Sequence, residues 1–218
     1  MAPQKIRSLP LDPEAYRLGG ILGAICVVSF CLAWPLIWVP ALLATVAVLA
    51  FFRDPARRVP AVPGAVVSPA DGKVTAVRTN NDPKAGPVGG PCISIFLSVL
   101  DVHMNRAPYE GVVTGTEHHA GAYLNAMDPE SSTRNECNWI YLDCGTFRMS
   151  VCQIAGLIAR RIICRVKPGQ QLKRGQRIGL IRFGSRTDLY LPPEARVQVE
   201  VGQRVTGGQT IVAYLSEQ

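Results

Sequence analysis

VKPGQQLKRGQRIGLI, residues 166–181, and VEVGQRVTGGQTIVAY, residues 199–214, repeat one pattern 33 positions apart. Val166/Val199, Gly169/Gly202, Gln170/Gln203, Gly175/Gly208, Gln176/Gln209 and Ile178/Ile211 are identical. Each copy reads as a strand, a glycine turn, a second turn and a second strand, so the two copies are expected to pack as related halves of a small barrel or sandwich. Working outward, the chain from residue 65 shows short β-branched runs such as AVVSPADGKVTAV, CISIFLSVLDVHM and NWIYLDC, punctuated by Gly, Pro, Asn and Asp. That pattern predicts a mainly β, α+β domain of short strands. AGLIARRI, residues 155–162, fits a helix or a strand.

This layout resembles the biotinyl and lipoyl carrier fold. Between the two copies lies RFGSRTDLYLP, residues 182–192, in which Gly184 and Ser185 interrupt two strand-like flanks. A carrier, or a non-enzymatic membrane adaptor built on that fold, would need a modifiable lysine at this connection, and none adjoins it. Gly-Ser also suits an ordinary β-turn. No GxSxG elbow is present, so Ser185 does not read as a standard hydrolase nucleophile.

At 218 residues and 48% hydrophobic, the chain can bury one sizeable core and carry an appendage. Its 23 basic and 16 acidic residues give +7. The arginines are scattered and no nucleic-acid module is recognisable, which sets nucleic acid aside and leaves an anionic membrane surface as the expected partner. Seven cysteines, none in a CxxC pair, read as reduced and mostly buried thiols at the cytoplasmic face. His103, His118 and His119 have no metal-ligand spacing, so no metal is expected.

No charged residue occurs between Arg17 and Arg53. This run is too long for one transmembrane helix and barely enough for two. Pro35 and Pro40, with Trp34 and Trp38, mark its middle, which predicts a hairpin of two short helices whose tip carries WPLIWVP. Lys5, Arg7 and Arg17 before it and Arg53, Arg57 and Arg58 after it put both ends in the cytoplasm. A cleaved signal peptide would be shorter and would not resume after two prolines. The expected layout is a cytoplasmic segment 1–17, an apolar hairpin 18–52, a proline-rich connector 53–64 and a β-rich domain 65–218.

FGSRTDLYLP, SPADGKV and DVHMNRAPYEG, together with FFRDP, Asn135-Glu136 and ARRI, resemble the phosphatidylserine decarboxylase family in its short bacterial form, over nearly the whole chain. The resemblance implies a proenzyme that cuts itself between Gly184 and Ser185, leaving chains 1–184 and 185–218 associated as a heterodimer. Ser185 then becomes a covalent pyruvoyl group, which forms a Schiff base with the amine of phosphatidylserine and yields phosphatidylethanolamine and CO₂. A serine hydroxyl needs a base, and His103 is the natural one. Asp71 matches the family's aspartate and is expected to hold the His103 Nδ1–H, making a triad with Ser185. Arg53, Arg160 and Arg161 could meet anionic lipid or phosphate. Some members carry a second histidine three residues before the one matched by His103. Here that residue is Leu100, leaving His103, His118, His119 or a water to deliver the proton in decarboxylation. A serine phospholipid with other chains would undergo the same head-group chemistry.

Overall fold

The computed structural model describes residues 4–6, 11–124, 134–156, 161–182 and 184–215. The chain forms two compact units, Arg7–Ala56 and a larger one made of Met1–Ile6 with Arg57–Gln218.

The smaller unit contains helices α1 (Pro13–Cys31) and α2 (Pro35–Phe51). Helix α1 starts before the apolar run expected from residue 18, because Asp12 caps it: its carboxylate accepts the Glu14 N–H at 3.0 Å, and Pro13 supplies a preset first turn. The reversal lies at Leu32–Trp34, where Ala33 takes φ +56°. Pro35 therefore opens α2 rather than belonging to the tip, and Pro40 lies within the helix. The helices pack antiparallel. Phe30 meets Trp38 edge-on at 5.6 Å, and the Cys26 thiol donates to the Trp38 carbonyl at 3.6 Å. Helix α1 is long and apolar enough to cross a membrane, and α2 is a shorter apolar helix of 17 residues. Both leave most of their aliphatic side chains exposed.

The larger unit is mainly β. In chain order its strands are β1 (Gln4–Ile6), β2 (Arg57–Val59), β3 (Ala65–Val67), β4 (Gly72–Thr79), β5 (Pro91–Leu97), β6 (Met104–Arg106), β7 (Gly111–His119), β8 (Cys137–Asp143), β9 (Arg148–Ala155), β10 (Ile162–Cys164), β11 (Gln171–Leu172), β12 (Arg177–Ile181), β13 (Ser185–Tyr190), β14 (Arg196–Val197), β15 (Arg204–Val205) and β16 (Ile211–Tyr214). An eight-stranded sheet runs β11-β7-β8-β9-β13-β5-β4-β15, and two three-stranded sheets run β10-β12-β6 and β14-β16-β3. β2, inside the expected connector, pairs with β1. Of AGLIARRI, residues 157–160 lie outside the described residues; Ala155 ends β9 and Ile162 begins β10.

The sequence repeat is also a repeat of hydrogen bonds. In the first copy the Gly169 N–H donates to the Val113 carbonyl at 2.8 Å and the Val113 N–H returns to Gln170 at 2.9 Å; in the second, Gly202 and Gln203 make the same pair of bonds to Val74 at 2.8 and 2.9 Å. Gly175 then donates to Ala107, and Gly208 to Ser68, each at 2.8 Å. All four glycines have positive φ, between +73° and +97°, which explains why both copies keep them. The glutamines fold back on their own turns: Gln170 Oε1 accepts the Lys167 N–H at 3.3 Å and Gln203 Oε1 the Glu200 N–H at 3.1 Å. Equivalent apolar positions, Val166 with Val199 and Leu172 with Val205, are buried in one core with Val74, Ile95, Val113 and Ile140.

Candidate active site

Ser185 is the first residue of β13, a strand paired on both sides. Its neighbours across the ladders are Leu97 of β5 and Ala155 of β9. The residue is fully buried, and its hydroxyl has no hydrogen-bond partner among the described residues. An unsatisfied buried hydroxyl costs about 1–3 kcal/mol, so a purely structural role would favour alanine here. Gly184 takes φ +58°, and a Cβ built on it would meet nothing within 4 Å. Backbone conformation, not lack of space, favours glycine, and the approach to this residue is open.

His103 is fully buried just before β6. Its Nδ1 lies 2.9 Å from the carbonyl oxygen of Asp101, so in the neutral ring Nδ1 carries the proton and Nε2 the lone pair. Its own carbonyl accepts the Ile181 N–H at 3.3 Å.

The registers bring His103 and Ser185 to the same turn. Asn105 Nδ2 donates to Thr187 Oγ1 at 2.9 Å. Gly179 is the strand partner of Asn105, and Gln153 is the strand partner of Thr187. A Cβ on Gly179 would sit 2.7 Å from the Gln153 amide, so residues 179 and 187 are near neighbours. The chain therefore folds back between them, and stepping two residues toward the bend on each strand reaches Ile181, with His103 beside it, and Ser185. Side chains two apart on a strand share a face. Hence Ser185 follows Thr187 to the same face of β13, and His103 lies just before β6, two residues from Asn105. The layer on that face is polar: Asn138 donates to Gln153 at 2.9 Å and Gln153 to Asn105 at 2.8 Å, and all three, like Thr187, are buried.

Asp71 is engaged differently from the expectation. Its carboxylate accepts Arg57 Nη2 at 2.8 and 3.0 Å and the Gly207 N–H at 2.7 Å, while His103 Nδ1 is met by the Asp101 carbonyl. A guanidinium and an amide donor in charge-assisted geometry outcompete a neutral imidazole for a carboxylate. Asp101, which sequence reasoning passed over, organises the loop that carries His103. Ser98 donates from its N–H at 2.9 Å and its hydroxyl at 2.7 Å to Asp101 Oδ2, and Arg204 bonds Oδ1. The only trace in the sequence is the Ser98-x-x-Asp101 spacing, a local turn signal.

Asn135 and Glu136 brace the other flank. The Asn135 amide donates to the Ala155 carbonyl at 2.8 Å, and the Ala155 N–H donates to the Glu136 carbonyl at 2.9 Å, fixing the residue that pairs with Ser185. Burial pushes the Glu136 carboxyl up, but hydrogen bonds from His118 Nε2 at 3.1 Å and the Tyr123 hydroxyl at 2.8 Å outweigh it and hold the carboxyl below its ordinary range. His119 faces Glu117 at 3.6 Å. Leu100 is 79% exposed. Arg53 donates to the Ala50 carbonyl at the end of α2, the Arg161 carbonyl accepts the Arg182 N–H at 3.2 Å, and Arg160 lies outside the described residues.

Taken together, a buried serine after a left-handed glycine, with an imidazole in the base-competent tautomer at the same bend, defines a site suited to acyl shift at its own backbone. Comparison with known proteins agrees with this class. Residues 45–213 match the family model described as phosphatidylserine decarboxylase. The chain is 50% identical over 169 residues to the phosphatidylserine decarboxylase proenzyme of Oleidesulfovibrio alaskensis, covering 77% of each chain. It is 46% identical over 190 residues to the proteins of the same name from Burkholderia ambifaria and Burkholderia multivorans, covering 87% of this chain and 86% of each relative. The chain belongs to the phosphatidylserine decarboxylase family.

Proposed function

We propose that this protein decarboxylates phosphatidylserine to phosphatidylethanolamine and CO₂, with a pyruvoyl group that it makes from Ser185 by cutting its own backbone after Gly184. The observation that carries this reading is the buried, unsatisfied Ser185 hydroxyl directly after a left-handed glycine, in a chain whose curated relatives are named proenzymes.

In the first stage His103 Nε2 takes the Ser185 hydroxyl proton as Oγ attacks the Gly184 carbonyl carbon. The peptide C–N bond breaks, the amine nitrogen receives that proton, and an ester joins Gly184 to Oγ. Loss of the Ser185 α-proton with cleavage of the Cβ–Oγ bond frees Gly184 as a carboxylate. Water then replaces the nitrogen, releasing ammonia. Hydrogen bonding of Nδ1 to a carbonyl keeps the ring in the tautomer this work needs, and Asp101 is the positioning residue. Asp71 we assign a supporting role, holding the 206–208 turn through Gly207 and Arg57 through its guanidinium. The turn belongs to the smaller product, so Asp71 ties the two products together at the site.

The pyruvoyl group supplies a ketone that can take up the substrate amine and draw electrons from the bond to the departing carboxylate. The residues fit such a group. Ser185 is buried and anchored by strand ladders on both flanks, and among the described residues no side chain bonds its Oγ. His103 then holds a proton beside the same atom. After the cut, chain 185–218 stays with chain 1–184 as a heterodimer, because β13 lies between β5 and β9, β15 pairs with β4, and β16 with β3. The repeat supports a biotinyl- or lipoyl-like arrangement of the barrel. The apolar helices support a hairpin that holds the protein on the cytoplasmic face of the cell membrane, where a two-chain lipid resides. Release of CO₂ from carboxyl-labelled phosphatidylserine in vesicles tests the reading. The parent protein releases it, Ser185→Ala releases none, and an equally active Ser185→Ala protein would refute the assignment.

A further inference from the structure

Leu100 and Val201 are the most exposed large aliphatic residues described outside the two helices, at 79% and 62%. Val201 lines one cleft of about 530 Å³ with Ser98, Asp101, Lys73 and Arg204, and Leu100 lies in the turn that Ser98 and Asp101 close. A single wet leucine is ordinary on a protein surface. These belong to a cluster, however, since Val99 beside Leu100 is also exposed. Their loop is not free to tuck them in. The Asp101 N–H donates to the Ser98 carbonyl at 2.9 Å, Asp101 Oδ2 holds Ser98 twice, and Arg204 holds Oδ1. The same Asp101 meets the His103 ring through its carbonyl. A rigid apolar tip is thus fastened to the candidate base by one residue. Around it stand the exposed ammonium of Lys73 and the two-thirds-exposed guanidinium of Arg204.

Aliphatic tips ringed by cations suit the boundary between acyl chains and anionic head groups. We propose that Val99, Leu100 and Val201 enter the surface of an anionic phospholipid bilayer, with Lys73 and Arg204 at lipid phosphates, so that the loop bearing His103 is seated on the membrane independently of the hairpin. This rests on the lipid-substrate reading above. The surface would then bring the site to a head group that cannot leave the bilayer.

The first test is hydrogen exchange on the full chain bound to vesicles of phosphatidylcholine with phosphatidylglycerol, and to vesicles of phosphatidylcholine alone. Slower exchange at 98–102 and 199–203 on the anionic vesicles is expected. No difference between the two would overturn the proposal, and so would protection that tracks protein concentration at fixed lipid, which would indicate a second copy of the chain. This readout does not depend on catalysis, so it stands even if the activity assignment fails. The second test uses Leu100→Asp and Val201→Asp. Each is expected to cut itself and to turn over monomeric short-chain phosphatidylserine within about twofold of the parent, while losing roughly tenfold on long-chain phosphatidylserine in vesicles. Equal losses on both substrates in both variants would contradict a docking role.

Discussion

Gly184 separates two reasons a chain can require glycine. A Cβ there meets no atom within 4 Å, yet φ is +58°. Alanine therefore fits the space and strains the backbone by about 1–2 kcal/mol, whereas asparagine tolerates this conformation. We expect Gly184→Asn to self-cleave faster than Gly184→Ala, read from the fraction of cut chain over time on a denaturing gel; the reverse order would show that bulk decides. Ser185, Gly184 and His103 were conspicuous in the sequence as candidates because of their residue types and flanking motifs. The holder of the His103 ring was not, because the contact is a backbone carbonyl that any residue at position 101 would present. The partners of the Asp71 carboxylate were hidden for a related reason. A carboxylate in an Asp-Gly turn invites pairing with the nearby imidazole, and nothing in the sequence says that Arg57, 14 residues earlier, folds back onto it.

At the scale of elements, β13 alternates two functions along its length. Ser185 and Thr187 face the polar layer, while Arg186 and Asp188 face the other way and form a buried pair at 2.6 and 2.7 Å, with Arg78 adding a third contact to Asp188 at 3.1 Å. Removing Asp188 strands the Arg186 guanidinium, which is itself buried. Asp188→Ala should cost about 3–5 kcal/mol, seen as a lower urea midpoint, and in the cut protein as release of the 185–218 chain under milder conditions. An unchanged midpoint would show that the ladders alone hold the strand. On the opposite flank, hydrogen bonds from His118 and Tyr123 outweigh burial and hold the Glu136 carboxyl below the usual carboxylate range. A depressed carboxylate stabilises the fold fully above the unfolded value and loses that contribution as pH falls through the folded one. The stability gap between the parent and Glu136→Gln should therefore be constant at neutral pH and close below about pH 4.5. Elements themselves were readable where periodicity and turn chemistry agree, as in the two repeats, whose glycines and glutamines make matching bonds. The start of α1 is set by the Asp12 cap rather than by hydropathy, so the helix begins ahead of the uncharged run.

For the whole molecule, the fold makes self-cleavage tolerable. The bond after Gly184 lies between β12 and β13, just before the first paired residue of β13, and the smaller product is woven into two sheets, β13 and β15 in the eight-stranded one and β14 and β16 in a three-stranded one. The mainly β character, the repeated turns and the apolar helices could be foreseen from the sequence. The alignment that brings Asn105 to Thr187 could not, because it depends on registers among strands far apart in the chain. The most direct test is intact mass of the purified protein under denaturing conditions. We predict pieces of 184 and 34 residues, the smaller one lighter by one ammonia than simple hydrolysis would leave it and closed to amine-reactive labels. A single active chain of 218 residues, or a smaller piece that begins with an ordinary serine, would contradict the account.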